Sequence, residues 1–317
     1  RLAWRGPADV HQSPTILVDR RGRLHLIYVR VRGDLRHLVF EGARHGNLQL
    51  AGQVDTSAWG AGNYYIGGAY LDATDSLLVC GTTSPGNVFR CGAFRGNRWS
   101  APNGIATFTG HAYLYPSIQP TGATALVATA AYPQGAPYDV RTLNAVMSVD
   151  ASGRGLQDGR GRTYGHANVG RTYFENDITI DDDGRVYILL TRARHAATAQ
   201  VPSELLLASS RDGFMAPAKV ASLTGSLYTL DAAGDGLHAL GGGVHAWSAD
   251  DGRTWRTMAY ELPGYPSSRF AYGVAQVLQP RSGTVTSSRN LTFLQELSDR
   301  GSGQSIVVEV ELPVDWR

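Results

Sequence analysis

Six short stretches of this chain carry histidine, tyrosine, arginine or carboxylate residues at the start of an apolar alternating run. They are Asp9-Val-His11-Gln12-Ser-Pro, Asn63-Tyr64-Tyr65, His111-Ala-Tyr113-Leu-Tyr115-Pro, the run from His166 to Asp177, Tyr228, and Arg269-Phe-Ala-Tyr272. The fourth is the richest, with Asn168, Arg171, Tyr173, Glu175, Asn176 and Asp177. Such groups suit the removal of a carbon-bound proton beside a carboxylate. That step needs a cation or amide to neutralise the carboxylate, a base for the proton and an acid for the leaving oxygen. His11, Tyr65, His111, Tyr115 and Tyr272 are the candidates for proton transfer. Gln12, Tyr64, Arg30, Arg171, Tyr173, Glu175, Asn176 and Arg269 are the candidates for gripping an acidic sugar. Together they would perform β-elimination on a uronic-acid polysaccharide, a reaction that does not require paired catalytic carboxyl groups.

Glycoside hydrolysis is the competing chemistry, and it ordinarily uses two carboxyl groups about 5 to 9 Å apart. Glu175 and Asp177 offer such a pair, with Asp139 and Asp9 further off. A sialidase-like set would be Tyr272 with Glu175, and Arg30, Arg171 and Arg269 on the substrate carboxylate. The Arg-Ile-Pro motif that should accompany it is missing from the first repeat. The histidines lack the spacing of metal ligands, so neither a metal nor a cofactor is expected, a structural divalent cation being left open. Serine-hydrolase chemistry has no nucleophile elbow to support it. Taken singly, each histidine or tyrosine has a structural reading; their recurrence at one position of a repeat is what points to a site.

The elements that must position these residues repeat. An apolar alternating run, an Asp or Gln, a Gly-bearing turn and a second apolar run recur along the chain. The anchors are Asp19, Asp72, Gln119, Asp181, Asp231 and Gln279, whose five intervals average 52 residues, close to the roughly 40 to 50 of a four-stranded propeller blade. The spacing predicts one all-β domain over residues 1–317, a β-propeller of four-stranded antiparallel blades. Six blades fit, and a seventh would have to lie in the wide interval between Gln119 and Asp181. The 38 Gly and 14 Pro, with no sustained helical periodicity, agree with that reading. In a propeller the innermost strands line a central channel, so the six stretches would gather at one of its mouths. A lectin would repeat its binding residues from blade to blade; these stretches differ, which favours one asymmetric catalytic site.

Ser248-Ala249-Asp250-Asp251-Gly252-Arg253-Thr254-Trp255 fits Ser-x-Asp-x-Gly-x-Thr-Trp at every fixed position, with an apolar run on each side. Ser and Asp side chains cap backbone N–H groups in a tight turn, Gly supplies a positive φ, and the Trp plugs the turn. The segment resembles the Asp-box of sialidase-like β-propellers. That resemblance implies a turn between the third and fourth strands of a blade, on the outer rim and away from the channel mouth.

Cys80 and Cys91 are the only cysteines. A hairpin centred between Pro85 and Gly86 sets them directly opposite each other, as a disulfide or as two buried thiols. A bridge would imply an oxidising compartment, and a secreted protein is the expectation. A net charge of +2 without a basic run argues against a nucleic-acid partner. No membrane span or signal peptide is visible, and the start at Arg1-Leu-Ala-Trp is read as a processed or trimmed end. A monomer acting on an acidic polysaccharide or oligosaccharide is expected.

The first repeat, from His11-Gln-Ser-Pro through Asp19 and Gly22 to Tyr28, resembles the opening of the BNR-repeat propellers that include ulvan and rhamnose–glucuronate lyases. In that group the blade opens His-Asn-x-Pro, and His11 matches the histidine. The resemblance implies action on a polysaccharide of glucuronic acid and rhamnose, with His11 as the foremost catalytic residue. Tyr65, Tyr115 and Arg171 are looser equivalents, matched by topology. The family often carries a second histidine about twenty residues on; Arg30, Val31 and Arg32 stand there.

Overall fold

The computed structural model describes residues 14–29, 33–42, 48–83, 88–105, 111–133, 143–157, 165–168, 173–181, 183–192, 203–208, 218–223, 227, 229–233, 236–277 and 290–313. The described strands form six antiparallel sheets in chain order. The first sheet is Thr15–Val18, Leu24–Val29, Leu35–Glu41 and Gln49–Val54. The second is Asn63–Leu71, Ser76–Thr83 and Phe89–Arg95, with the short Arg98–Trp99 and Asn103–Gly104 both pairing to the last. The third is His111–Pro120, Thr124–Pro133, Leu143–Asp150 and Gly165–Asn168. The fourth is Tyr173–Ile180, Val186–Arg192, Ser203–Ala208 and Ala218–Leu223. The fifth is Thr229–Ala233, Gly236–Gly241, Val244–Ser248 and Arg256–Ala259. The sixth, among the described residues, is Phe270–Val277, Asn290–Asp299 and Ser305–Pro313.

From the first sheet to the sixth, each sheet's first strand contacts the first strand of the next. This is the all-β propeller arrangement. The interval from Gln119 to Asp181 holds the other strands of the third sheet and the first strand of the fourth; its described residues form no additional sheet. Gly165–Asn168 corrects one expectation. It is the outer strand of the third sheet, with His166 opposite Ala145, and not the approach to an inner strand of the fourth.

Burial explains why some runs are apolar throughout instead of alternating. The strand Ser76–Thr83 is buried at its first seven positions. Leu77 and Val79 pack toward Ile27, Val29 and Leu35 of the first sheet, while Leu78 and Cys80 pack toward Ile118 and Val127 of the third. Val186–Arg192 divides the same way: Ile188 and Leu190 face Leu126 and Ala128, and Tyr187 and Leu189 face Leu230 and Leu237. A sheet stacked between two others must be apolar on both faces, and the interfaces use sheet-to-sheet interdigitation.

Strand direction alternates, so the turns joining strands one to two and three to four share one end of the propeller, opposite the lead-in segments. At that turn end Asp19 and Asp181 build equivalent turns. Each carboxylate accepts from the backbone N–H four residues on, Arg23 at 2.9 Å and Arg185 at 2.7 Å. Gly22 and Gly184 supply the positive φ, both at 79°. The Ser248–Trp255 turn joins the third and fourth strands of the fifth sheet, as its sequence implied. Thr254 N–H donates to Asp250 Oδ1 at 2.8 Å, Gly252 N–H to Ser248 Oγ at 2.9 Å, and Trp255 Nε1 to Gly252 O at 2.9 Å. Cys80 lies opposite Cys91 in the register, and the two are bridged.

Candidate functional site

Among the described residues, four of the six inner strands break register near their lead-in ends. In the second sheet Tyr64 pairs with Thr82 and Gly67 with Cys80, leaving one residue extra. In the third, Leu114 pairs with Ala130 and Ser117 with Ala128. The fourth shifts between Tyr173 and Glu175, and the sixth between Tyr272 and Ala275. A β-bulge of this kind re-aims a side chain out of the alternating pattern. Tyr65 and Tyr115 occupy the same place in their bulges, and both are in the left-handed region, at φ 45° and 47°. For a tyrosine that conformation costs about 1 to 2 kcal/mol. The result is contact across the sheet boundary: the two rings stand edge to face, centroids 4.8 Å apart. Gly67 makes the approach feasible, because a Cβ there would lie 2.0 Å from Pro116 O.

The fourth sheet closes on this pair. Asn176 Nδ2 donates to Tyr115 O at 3.3 Å. The next residue, Asp177, reaches both neighbouring sheets. Its Oδ1 accepts from Ser117 Oγ at 2.5 Å and from Ile178 N–H at 2.9 Å; its Oδ2 accepts from Thr229 Oγ1 at 2.9 Å and Leu230 N–H at 2.8 Å. Burial pushes Asp177 above the ordinary carboxylate range against the pull of these donors. Nearby Asp231 is pushed up to about 6, first by burial and then by the charge of Asp177.

The expected site residues divide into groups. Tyr65, Tyr115 and Asn176 come together. Tyr64, His111, Tyr173 and Glu175 lie on the lead-in portions of the second, third and fourth inner strands, and their side chains fall outside the described residues. His11, Gln12, Arg30 and Arg171 fall outside them altogether.

Tyr272 does not join the pair. Its hydroxyl accepts from Leu262 N–H at 2.7 Å and donates to Tyr265 O at 2.8 Å, so both its roles go to securing the connection between the fifth and sixth sheets. Its bulge also begins one residue later, which puts Gly273 where Tyr65 and Tyr115 stand. Arg269 is exposed, with Nη2 donating to Asp299 Oδ2 at 2.8 Å. The Asp299 carboxylate, held down to about 2 by that bond, already claims the guanidinium.

Sequence reasoning missed Asp231, taken as a turn anchor. It also missed Arg90, whose Nη2 donates to Asn63 Oδ1 and Trp59 O where the inner strand of the second sheet begins. Arg90 has no carboxylate partner among the described residues, and burial lowers its pKa. No signal in the residue pattern marks it, because the apolar strand around it reads as core.

A cavity of about 90 Å³ opens at the turn end, between the first and second sheets, lined by Asp19, Arg23, His25, Tyr70 and Asp75 among others. Its polar groups are engaged with one another or with neighbours: Arg23 Nε donates to Asp19 Oδ2 at 2.7 Å, and Tyr70 Oη to Asp75 Oδ1 at 2.7 Å. Mutual pairing there leaves less chemistry to offer than the bulged end does.

No protein-family model matches the chain, and no curated protein does. Solved structures are similar in fold. A ulvan lyase of a new polysaccharide lyase family, bound to -[GlcA(1-4)Rha3S]-, aligns with a TM-score of 0.62 at 10% identity, covering 98% of this chain and 81% of that one. An α-L-arabinanase of Penicillium chrysogenum, complexed with arabinobiose, gives 0.58 at 12% identity and covers 98% and 96%. An α-L-arabinofuranosidase of Fusarium graminearum, also with arabinobiose, gives 0.57 at 10%, covering 98% and 96%. At such identities the likeness establishes the propeller fold alone.

Proposed function

We propose that this chain is a six-bladed propeller enzyme that cleaves a uronate-bearing polysaccharide by β-elimination at its bulged end. The observation that carries the reading is the Tyr65–Tyr115 pair, two tyrosines held in a costly backbone conformation at equivalent bulges and brought to 4.8 Å. Backbone strain of this kind collects at functional sites. One phenol, or His11, takes the proton from the carbon next to the uronate carboxylate. The electron pair moves into the adjacent ring bond, the glycosidic carbon–oxygen bond breaks, and the second phenol protonates the departing oxygen. Arg171 or Arg30 neutralises the carboxylate as the enolate forms, with Arg90, at the bulged end, as a further guanidinium. The ligand of the similar ulvan lyase, which contains glucuronate, supports an acidic substrate. The Cys80–Cys91 bridge supports an oxidising, extracellular setting.

Glycoside hydrolysis is the second reading, and one observation favours it. Asp231, with a pKa near 6, lies beside Asp177, as an acid paired with a carboxylate would. The similar arabinanase and arabinofuranosidase structures, both complexed with arabinobiose, are in keeping with it. A panel of uronate and neutral polysaccharides separates the two. Elimination produces an unsaturated uronate with new ultraviolet absorbance in step with new reducing ends. Reducing ends without that absorbance would replace the lyase reading with the hydrolase, and binding without either product would leave a lectin.

A further inference from the structure

We propose that Asn176 and Asp177 form a clamp that holds Tyr115 in its left-handed conformation and so sets the geometry of the tyrosine pair; the catalytic significance of the clamp rests on the elimination reading above. The two residues are consecutive on the inner strand of the fourth sheet, and they grip the third sheet at two points, one within its bulge and one just past it. Asn176 Nδ2 holds the carbonyl of Tyr115 itself, and Asp177 holds the hydroxyl of Ser117, two residues further on. A bulge supplies an extra residue but does not dictate which conformation that residue takes. A tyrosine released from its neighbours would relax toward negative φ, recovering the cost of the left-handed region.

The jaws need a fixed base, and Asp177 has one. Its other oxygen is bonded to Thr229 Oγ1 and Leu230 N–H, so the carboxylate is tied to the fifth sheet while it holds the third. Bonds to a buried carboxylate are stronger than neutral ones, and cutting one leaves buried polar atoms without partners. Tyr65 has a different support. The close approach of Gly67 to Pro116 O seats its bulge directly against that of Tyr115. The third-sheet bulge is therefore held from both sides, by Gly67 of the second sheet and by the Asn176–Asp177 clamp of the fourth. Asn176 and Asp177 are positioning residues in this account, acting through Tyr115.

The test compares Tyr115→Ala with Tyr115→Gly by urea unfolding, in the natural background and with Ser117→Ala. Both substitutions remove the ring, and only glycine adopts positive φ freely. With the clamp intact, the Gly variant should unfold at a higher urea midpoint than the Ala variant. With Ser117→Ala, that advantage should vanish or reverse. An unchanged advantage overturns the clamp, and this readout does not depend on any catalytic activity. Kinetics then reports on the site: Ser117→Ala should lower kcat by about tenfold or more with KM within twofold. The turn-end variant Asp250→Ala should leave both constants unchanged. Loss of the Gly advantage without lyase activity in the natural protein would retain the clamp and discard the elimination reading.

Discussion

The same inner strands end very differently at their two extremities. At the turn end the exceptional backbone angles of the Asp19 and Asp181 turns fall on Gly22 and Gly184, where they cost little. The sheets there are linked through exposed or half-exposed ion pairs: Arg185 Nη1 to Asp251 Oδ2 at 2.8 Å, and Arg20 Nε to Asp75 Oδ1 at 3.4 Å. At the bulged end the exceptional angles fall on Tyr65 and Tyr115, where they are expensive, and the link between sheets is the buried carboxylate of Asp177. One end obtains tight turns with residues that tolerate them, glycine and, at Asp75, Asn97 and Asp251, the short Asp and Asn. The other places large, reactive side chains in conformations they resist. That contrast is the basis for placing the proposed chemistry at the bulged end of a repeating fold.

Three experiments bear on the contrast. The largest effect is expected at Tyr115: Tyr115→Phe removes the phenol alone and should lower turnover on a cleaved polysaccharide by about 100-fold or more. Its melting temperature should stay within a few degrees of the natural protein; retention of most activity would remove Tyr115 from the chemistry.

A second, intermediate effect concerns pH. Asp231 ionises near 3.8 when unfolded and about 6 when folded, so the folded state binds its proton more tightly. Its contribution to stability is full below the unfolded value and is lost as pH rises through 6. The loss amounts to about 3 kcal/mol. His37, in the first sheet, has the reverse sign. Burial, reinforced by the charges of His25 and Arg23, depresses its pKa to about 3. It contributes above its ordinary 6.5 and loses that contribution as pH falls. The measurement is therefore a difference: Asp231→Asn should gain stability relative to the natural protein as pH rises from 4 to 7. Parallel pH curves for the two proteins would contradict the buried-carboxyl assignment.

The smallest effect is expected at the turn end. Asp181→Ala removes the side-chain acceptor of Arg185 N–H and should cost about 1 kcal/mol in chemical denaturation, with turnover unaltered. A matching loss of activity would show that the two ends are coupled.

Much of the architecture was legible in the residues. The recurrence of an apolar run, an Asp and a Gly turn follows directly from turn chemistry and strand alternation, the place of the Ser248–Trp255 turn from the resemblance of its motif, and the facing of the cysteines from hairpin geometry. The lead-in segments of the second and third sheets contain Tyr65 and Tyr115, which the fold brings together. What the pattern did not carry was the bulge, because one inserted residue leaves the composition of a strand unchanged while altering where each side chain points. Tyr272 shows the consequence. It sits in a bulged strand like the others, but one position early, where the connection through Leu262 and Tyr265 captures its hydroxyl. Asp177 was visible as a carboxylate in a lead-in segment, yet its hydrogen bonding depends on Ser117 and Thr229, 60 and 52 residues away in the chain. Such long-range partners leave no local trace.

The strands buried on both faces bear on how the molecule is made. Val186–Arg192 gives alternate side chains to the sheets before and after it, so its second face stays bare until the following sheet arrives. A chain emerging from the ribosome would thus present a sticky apolar leading edge after every completed sheet, covered only by the next one. Assembly of such a stack is sequential, each unit acting as the template for its successor. Shortening the protein by one repeat would leave such a surface permanently open, and insoluble aggregate, not a smaller propeller, is the outcome to expect.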